Sequence, residues 1–266
     1  MNAPTILVPL RLRSALALAA VSTVGVVAFG WPLFTRPGSA LDSSHSADAP
    51  LVFVVLLPLL AAVVLSELTS GGMDAKAVAM LGMLGAVGGA LRALGPGVAG
   101  LEPSFAVIIL GGRVFGRGFG FVLGAMTLFT GALITGGVGP WLPFQMMAAG
   151  WVGFLAGCLP SASGRREVAI VGAYAALAGL GFGMVMNLWF WPFASYGPEV
   201  TYVAGAPLAV NLRHYAVFYL TTSLLWDIGR SLISLLVVLL AGSSLLRALR
   251  RAGRRAAFGV PVVFDR

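Results

Sequence analysis

The chain has 266 residues, 59% of them hydrophobic and only 10% charged, with a mean hydropathy of +0.96 and a formal net charge of +8. A soluble fold of this length could not cover so much apolar surface, so the composition excludes a soluble globular domain and predicts an all-α integral membrane protein. The basic residues flank apolar segments, which argues against a nucleic-acid surface, and the single cysteine, Cys158, excludes an intrachain disulfide framework and a Cys-based metal cluster.

Apolar runs of about twenty residues match a hydrocarbon core of roughly 30 Å. They predict eight spans, at 14–34, 50–68, 76–94, 103–115, 118–137, 142–160, 168–193 and 214–244. The first, preceded by Arg11 and Arg13, has the look of a secretory signal. It is too long for one, and Trp31-Pro32 followed by a polar loop offers no small-x-small cleavage site, so an uncleaved span is expected. Residues 35–49, with Pro37, Gly38, Ser43, Ser44 and Ser46, read as a linker. Three regions follow: an N-terminal extension of two spans over 1–70, a six-helix core over 71–251 and a basic tail over 252–266.

Thirteen of the seventeen Lys and Arg residues fall on alternate connections. Arg11 and Arg13 precede the first span, Lys76 opens the third, and Arg113 and Arg117 flank the turn from the fourth to the fifth. Arg165 and Arg166 join the sixth to the seventh, and Arg247, Arg250, Arg251, Arg254, Arg255 and Arg266 follow the eighth. If Lys and Arg mark the cytoplasm, the protein crosses a plasma membrane with both termini inside, and the outer loops are 35–49, 95–102, 138–141 and 194–213.

The third span is built from small residues at fourfold spacing: Ala75 and Ala79; Gly82, Ala86 and Ala90; Gly85, Gly89 and Ala93. Such rows let helix backbones approach in lipid, either within the bundle or against a partner subunit, and spacing alone does not separate the two. Gly111-Gly112-Arg113-Val114-Phe115-Gly116-Arg117-Gly118 has the glycine content of a phosphate loop but neither a preceding strand nor a Lys-Ser/Thr pair. A tight reversal held at the head-group level by Arg113 and Arg117 is expected instead. Cys158 is expected to be a small packing residue.

Charges inside a span cost about 2.5–3.5 kcal/mol each on insertion scales, so the pair Asp227 and Arg230, at i and i+3, calls for mutual neutralisation or a polar cavity. Arg92 and Glu102 face each other across a short glycine-rich loop. Gln145 and Asn187 are amides in spans and need partners. Trp141, Trp189 and Trp191 lie near the same outer surface, where an aromatic belt or a ligand site would place them. No His-Ser, His-Glu-x-x-His or paired-carboxylate arrangement is visible and no ATP-binding motif exists, so the chain reads as a non-enzyme without intrinsic metal or cofactor.

Three stretches carry a family likeness: Ala75-xxx-Ala79 with Gly82-xxx-Ala86; Gly111-Gly112-Arg113-Val114-Phe115-Gly116; and Gly139-Pro140-Trp141-Leu142-Pro143-Phe144-Gln145-Met146 leading to Ala149-Gly150-Trp151-Val152-Gly153. From Ala75 to about Arg251 the chain resembles the substrate-specific (S) component of an energy-coupling factor vitamin transporter of actinobacterial type. The resemblance implies a six-helix core preceded here by two extra helices, and a vitamin ligand, with cobalamin favoured. Its partners would be a transmembrane coupling subunit and two cytoplasmic ATPases that use ATP on its behalf. It further implies that Ala75, Ala79, Gly82 and Ala86 dock the coupling subunit. The ligand would be held near the outer face by residues among Arg92, Glu102, Trp141, Gln145, Asn187, Trp189, Trp191, Asp227 and Arg230, and released by toppling of the whole component. A stand-alone secondary transporter or channel for a small polar solute is the alternative.

Overall fold

The computed structural model describes residues 7, 8, 10–33, 58, 62, 73–95, 100–194 and 196–256. The second expected span, the 35–49 linker and the end of the basic tail therefore lie largely outside the described residues. Eight α-helices are seen among those described: α1 (Leu12–Gly30), α2 (Ala75–Ala93), α3 (Ser104–Phe115), α4 (Arg117–Thr135), α5 (Leu142–Ala156), α6 (Gly164–Phe190), α7 (Leu208–Thr222) and α8 (Leu224–Ala256). No strand occurs among the described residues. Counting short 3-10 extensions, α1, α2, α4, α6 and α8 are long and apolar enough to cross a membrane. Leu240 is 83% exposed and Leu177 68%. Surface this apolar on long helices belongs in lipid.

Local chemistry sets the helix ends. Asp74 accepts a 2.8 Å hydrogen bond from the Ala77 amide and caps α2. Gly116, at φ +107, separates α3 from α4 by a single residue, and only glycine takes that conformation without strain. This is the tight reversal expected from the glycine-rich segment. Pro143 sits in the first turn of α5, where its missing N–H costs nothing.

The eighth expected span is instead two helices. Gly and Pro are absent at the break, which falls on Thr221, Thr222 and Ser223. The Thr222 hydroxyl donates to the Phe218 carbonyl at 2.7 Å, and the Ser223 hydroxyl donates to Asn187 Oδ1 on α6 at 3.0 Å. Consecutive hydroxyls that compete for backbone partners let the chain change direction without a formal helix breaker.

The bundle is organised around α3, a helix of 12 residues buried along nearly its whole length, with Phe105, Ile108, Ile109 and Phe115 inaccessible. It packs against α2, α4, α5, α6 and α8. At 1.5 Å per residue α3 is about 18 Å long, well short of a bilayer core, so space remains beyond its N-terminus. The tightest crossing is between α4 and α5, where a Cβ on Gly120 or Gly153 would meet the other's backbone, and one on Gly124 would meet the Ala149 carbonyl.

Two sequence ambiguities resolve here. On α2, Gly85, Gly88 and Gly89 are buried, with Gly88 and Gly89 against Thr127 and Thr130 of α4. Ala75, Ala79, Gly82, Ala86 and Ala90 are exposed, and open space surrounds Gly82. The N-terminal helix α1 packs on α5, α6 and α4, with the Trp151 indole donating to Ser22 Oγ at 3.0 Å, and so does not itself cover that row. Cys158 is exposed in the turn after α5 and is not the packing residue expected.

Candidate functional site

Buried ion clusters tie the helices together at both ends. At the end carrying Lys76, Arg117, Arg165 and Arg166, Glu167 in the first turn of α6 accepts from Arg113 Nε at 2.8 Å. It also accepts from Arg250 Nη1 at 2.8 Å and Nη2 at 2.5 Å. Arg113 Nη1 donates to the Leu159 carbonyl at 2.8 Å. Arg117 is exposed as expected, but Arg113 is turned inward, its side chain only 6% exposed, because Glu167 offers a buried counter-charge. Glu167 was missed in the sequence. The available signal was its isolation, a lone carboxylate next to two arginines at the start of a span.

At the opposite end α2, α3, α5 and α8 converge. Arg92, in the last turn of α2, donates through Nη2 to Gln145 Oε1 at 2.9 Å and lies 3.7 Å through Nη1 from Glu102 Oε1. Glu102 Oε2 accepts from Arg230 Nε at 2.8 Å, and Arg230 Nη1 donates to Asp227 Oδ1 at 2.5 Å. The Arg230 guanidinium packs against the edge-to-face pair Phe182 and Phe105, with ring centres at 4.9 and 5.5 Å. Asp227 fits behind it because Gly183 of α6 has no side chain, and a Cβ there would strike the carboxylate.

Beyond α3 these groups border a cavity of about 260 Å³ lined by Arg92, Gly95, Gly100, Leu101, Glu102, Thr135, Gln145, Phe182, Trp226 and Arg230. It occupies the space that the short α3 leaves empty. Of the nine residues singled out in the sequence, Arg92, Glu102, Gln145 and Arg230 line it, and Asp227 supports it from behind.

The other four are elsewhere. Trp141 is 39% exposed, its indole donating to the Gly137 carbonyl at 3.1 Å. Trp189 is buried against Phe144 and Phe193, and Trp191 is inaccessible among Tyr202, Tyr215 and Phe218, donating to the Val200 carbonyl at 2.6 Å. The 194–213 connection thus folds over Trp191 as a small apolar core instead of leaving the aromatics open to a ligand. Asn187 braces the break between α7 and α8 through Ser223. Thr135, Phe182 and Trp226 are lining residues the sequence reading did not select, since nothing in spacing marks them.

Because Arg230 serves two carboxylates, Arg230→Leu is expected to destabilise more than Asp227→Asn. The loss is about 3 kcal/mol for the former, since the buried Asp227 and the part-buried Glu102 are left without their main partner. Thermal unfolding of the purified variants in one detergent checks the order, and equal losses would show that Glu102 is held by other means.

Comparison with protein-family models, characterised proteins and solved structures yields no match to the chain. Among the described residues, the structure is all-helical, with five helices long and apolar enough to cross a membrane and a charged cavity at one end of the bundle.

Proposed function

We propose that the chain is the membrane-embedded, substrate-binding subunit of an energy-coupling factor importer. It captures a vitamin in the Arg92–Glu102–Gln145–Arg230 cavity and delivers it by toppling when a transmembrane coupling subunit and two ATPases engage it. The observation carrying this reading is a polar, charge-lined cavity set into the end of an otherwise apolar bundle, opposite the arginine-rich end. Under the positive-inside rule that cavity faces outward and both termini face the cytoplasm of the plasma membrane. Charged side chains inside a membrane bundle that also border a cavity are a functional-site candidate, and a held solute is the use this cavity suits.

The exposed row Ala75, Ala79, Gly82 and Ala86 is the face for the coupling subunit, since it is smooth, lies on a long helix and is left free by α1. Cobalamin is the ligand the family resemblance favours. A corrinoid exceeds a 260 Å³ cavity severalfold, so the cavity as it stands suits one of the smaller vitamins better. The chain has no chemistry of its own to perform in this scheme, and ATP acts only through its partners.

The test is reconstitution. In proteoliposomes the chain alone should bind but not accumulate a vitamin, and accumulation should need the coupling subunit, the ATPases and ATP. Gly82→Trp should leave binding intact while cutting coupled uptake by about tenfold or more, through loss of close helix approach. Flux catalysed by the chain alone would favour the stand-alone transporter.

A further inference from the structure

The hydrogen-bonding groups around the cavity are not equivalent, and their inventory selects a ligand. Arg230 commits Nε to Glu102 and Nη1 to Asp227 and the Gly179 carbonyl, and Phe105 and Phe182 pack together against one side of its guanidinium. It is chiefly scaffold. Gln145 is different. A guanidinium only donates, so the 2.9 Å bond from Arg92 fixes Gln145 Oε1 toward Arg92 and leaves the amide Nε2, with no protein partner, as a donor toward the cavity. Arg92 Nη1 is buried without a hydrogen-bond acceptor, because Glu102 Oε1 at 3.7 Å is too far to serve. Glu102 Oε1 in turn receives no hydrogen bond, so an acceptor stands next to two donors.

Charge narrows the choice further. Two guanidinium groups, Arg92 and Arg230, balance two carboxylates, Glu102 and Asp227, within one cluster. A ligand carrying net charge would leave that partly buried cluster unbalanced, at a desolvation cost no remaining group offsets. The apolar side chains of the wall are Leu101, Phe182 and Trp226, the last 43% exposed.

Resting on the proposed importer reading, we infer that the ligand is an uncharged planar heterocycle presenting a lactam or ureide edge, an N–H beside a C=O. The carbonyl accepts from Gln145 Nε2 and Arg92 Nη1. The N–H donates to Glu102 Oε1, and the ring lies against Trp226 and Phe182. The stretched Arg92–Glu102 contact is the slot that such an edge completes.

The test is isothermal titration of the nanodisc-embedded protein with uracil and 2-imidazolidinone, their N,N′-dimethyl derivatives, benzoate and a panel of vitamins. The two cyclic ureides are expected to bind, and methylation, which deletes the N–H donor and leaves Glu102 unpaired, should weaken each by about tenfold or more. Gln145→Leu should weaken the ureides by a similar factor. The selectivity of the wild-type protein carries the test even if that variant fails to fold. Tighter binding of benzoate, or equal affinity for the methylated probes, would overturn the inference. Binding of a vitamin that has no lactam or ureide edge, with none of the cyclic probes bound, would also overturn it while leaving the importer reading intact. Failure of every vitamin and probe would overturn both.

Discussion

A Gly153→Leu variant is expected to yield almost no folded protein, and Gly153→Ala to lose about 3 kcal/mol or more, the upper range for overpacking a close contact. The reason is geometric. Gly153 on α5 and Gly120 on α4 meet backbone to backbone, and a Cβ on either would land on the other's carbonyl group. A clash with a flexible side chain can be relieved by a rotamer change, but a clash with a peptide group moves a helix. Helix association in lipid depends on close approach because the hydrophobic effect supplies little drive between two apolar helices already in an apolar solvent. Gly181→Leu is the control. A Cβ at that position of α6 has nothing within 4 Å, so this variant should run as a single peak in fluorescence-detected size-exclusion chromatography, with a melting temperature close to wild type. Equal loss in both variants would mean that any large residue perturbs the bundle and that the α4–α5 contact is not special.

Glu167→Leu comes next, with an expected loss of about 4 kcal/mol. It would strand the Arg113 guanidinium, 6% exposed, and that of Arg250, 22% exposed, with no counter-charge between α3, α6 and α8. Removing all three charges, as Glu167→Leu with Arg113→Met and Arg250→Met, should recover most of the loss, because the penalty lies in the uncompensated charge and not in the absence of the pair. Melting curves in a single detergent decide between the two readings. A triple variant as unstable as the single one would show that the ion cluster itself contributes the binding energy between these helices.

Much of the helical architecture was legible because lipid imposes a simple rule, about twenty apolar residues bounded by charge or turn chemistry. The first, third, fifth and seventh expected spans coincide closely with α1, α2, α4 and α6. What the rule cannot see is burial. The apolar run that became α3 reads as a short span, whereas it is the innermost helix, and its shortness creates the cavity. The break at Ser223 was hidden because it depends on Asn187, 36 positions away, accepting the serine hydroxyl.

Charges in the spans marked the polar cluster. Arg92, Glu102, Asp227 and Arg230 were conspicuous in an apolar sequence, and they form one cluster. Aromatic residues misled. Trp189 and Trp191 carry the composition of a ligand site, but a large amphipathic ring is as useful for closing a loop over its own core, and only coordinates distinguish these uses. The rows of α2 show the same limit, since which small residues face inward depends on where α4 lies.

The most direct test of the central claim is native mass spectrometry of the detergent-purified protein beside its Gln145→Leu variant. The account predicts one small molecule released per wild-type chain and none from the variant at matched folded content. A wild-type protein that carries no small molecule and binds no vitamin offered to it, or a variant that retains the same molecule in full, would contradict it.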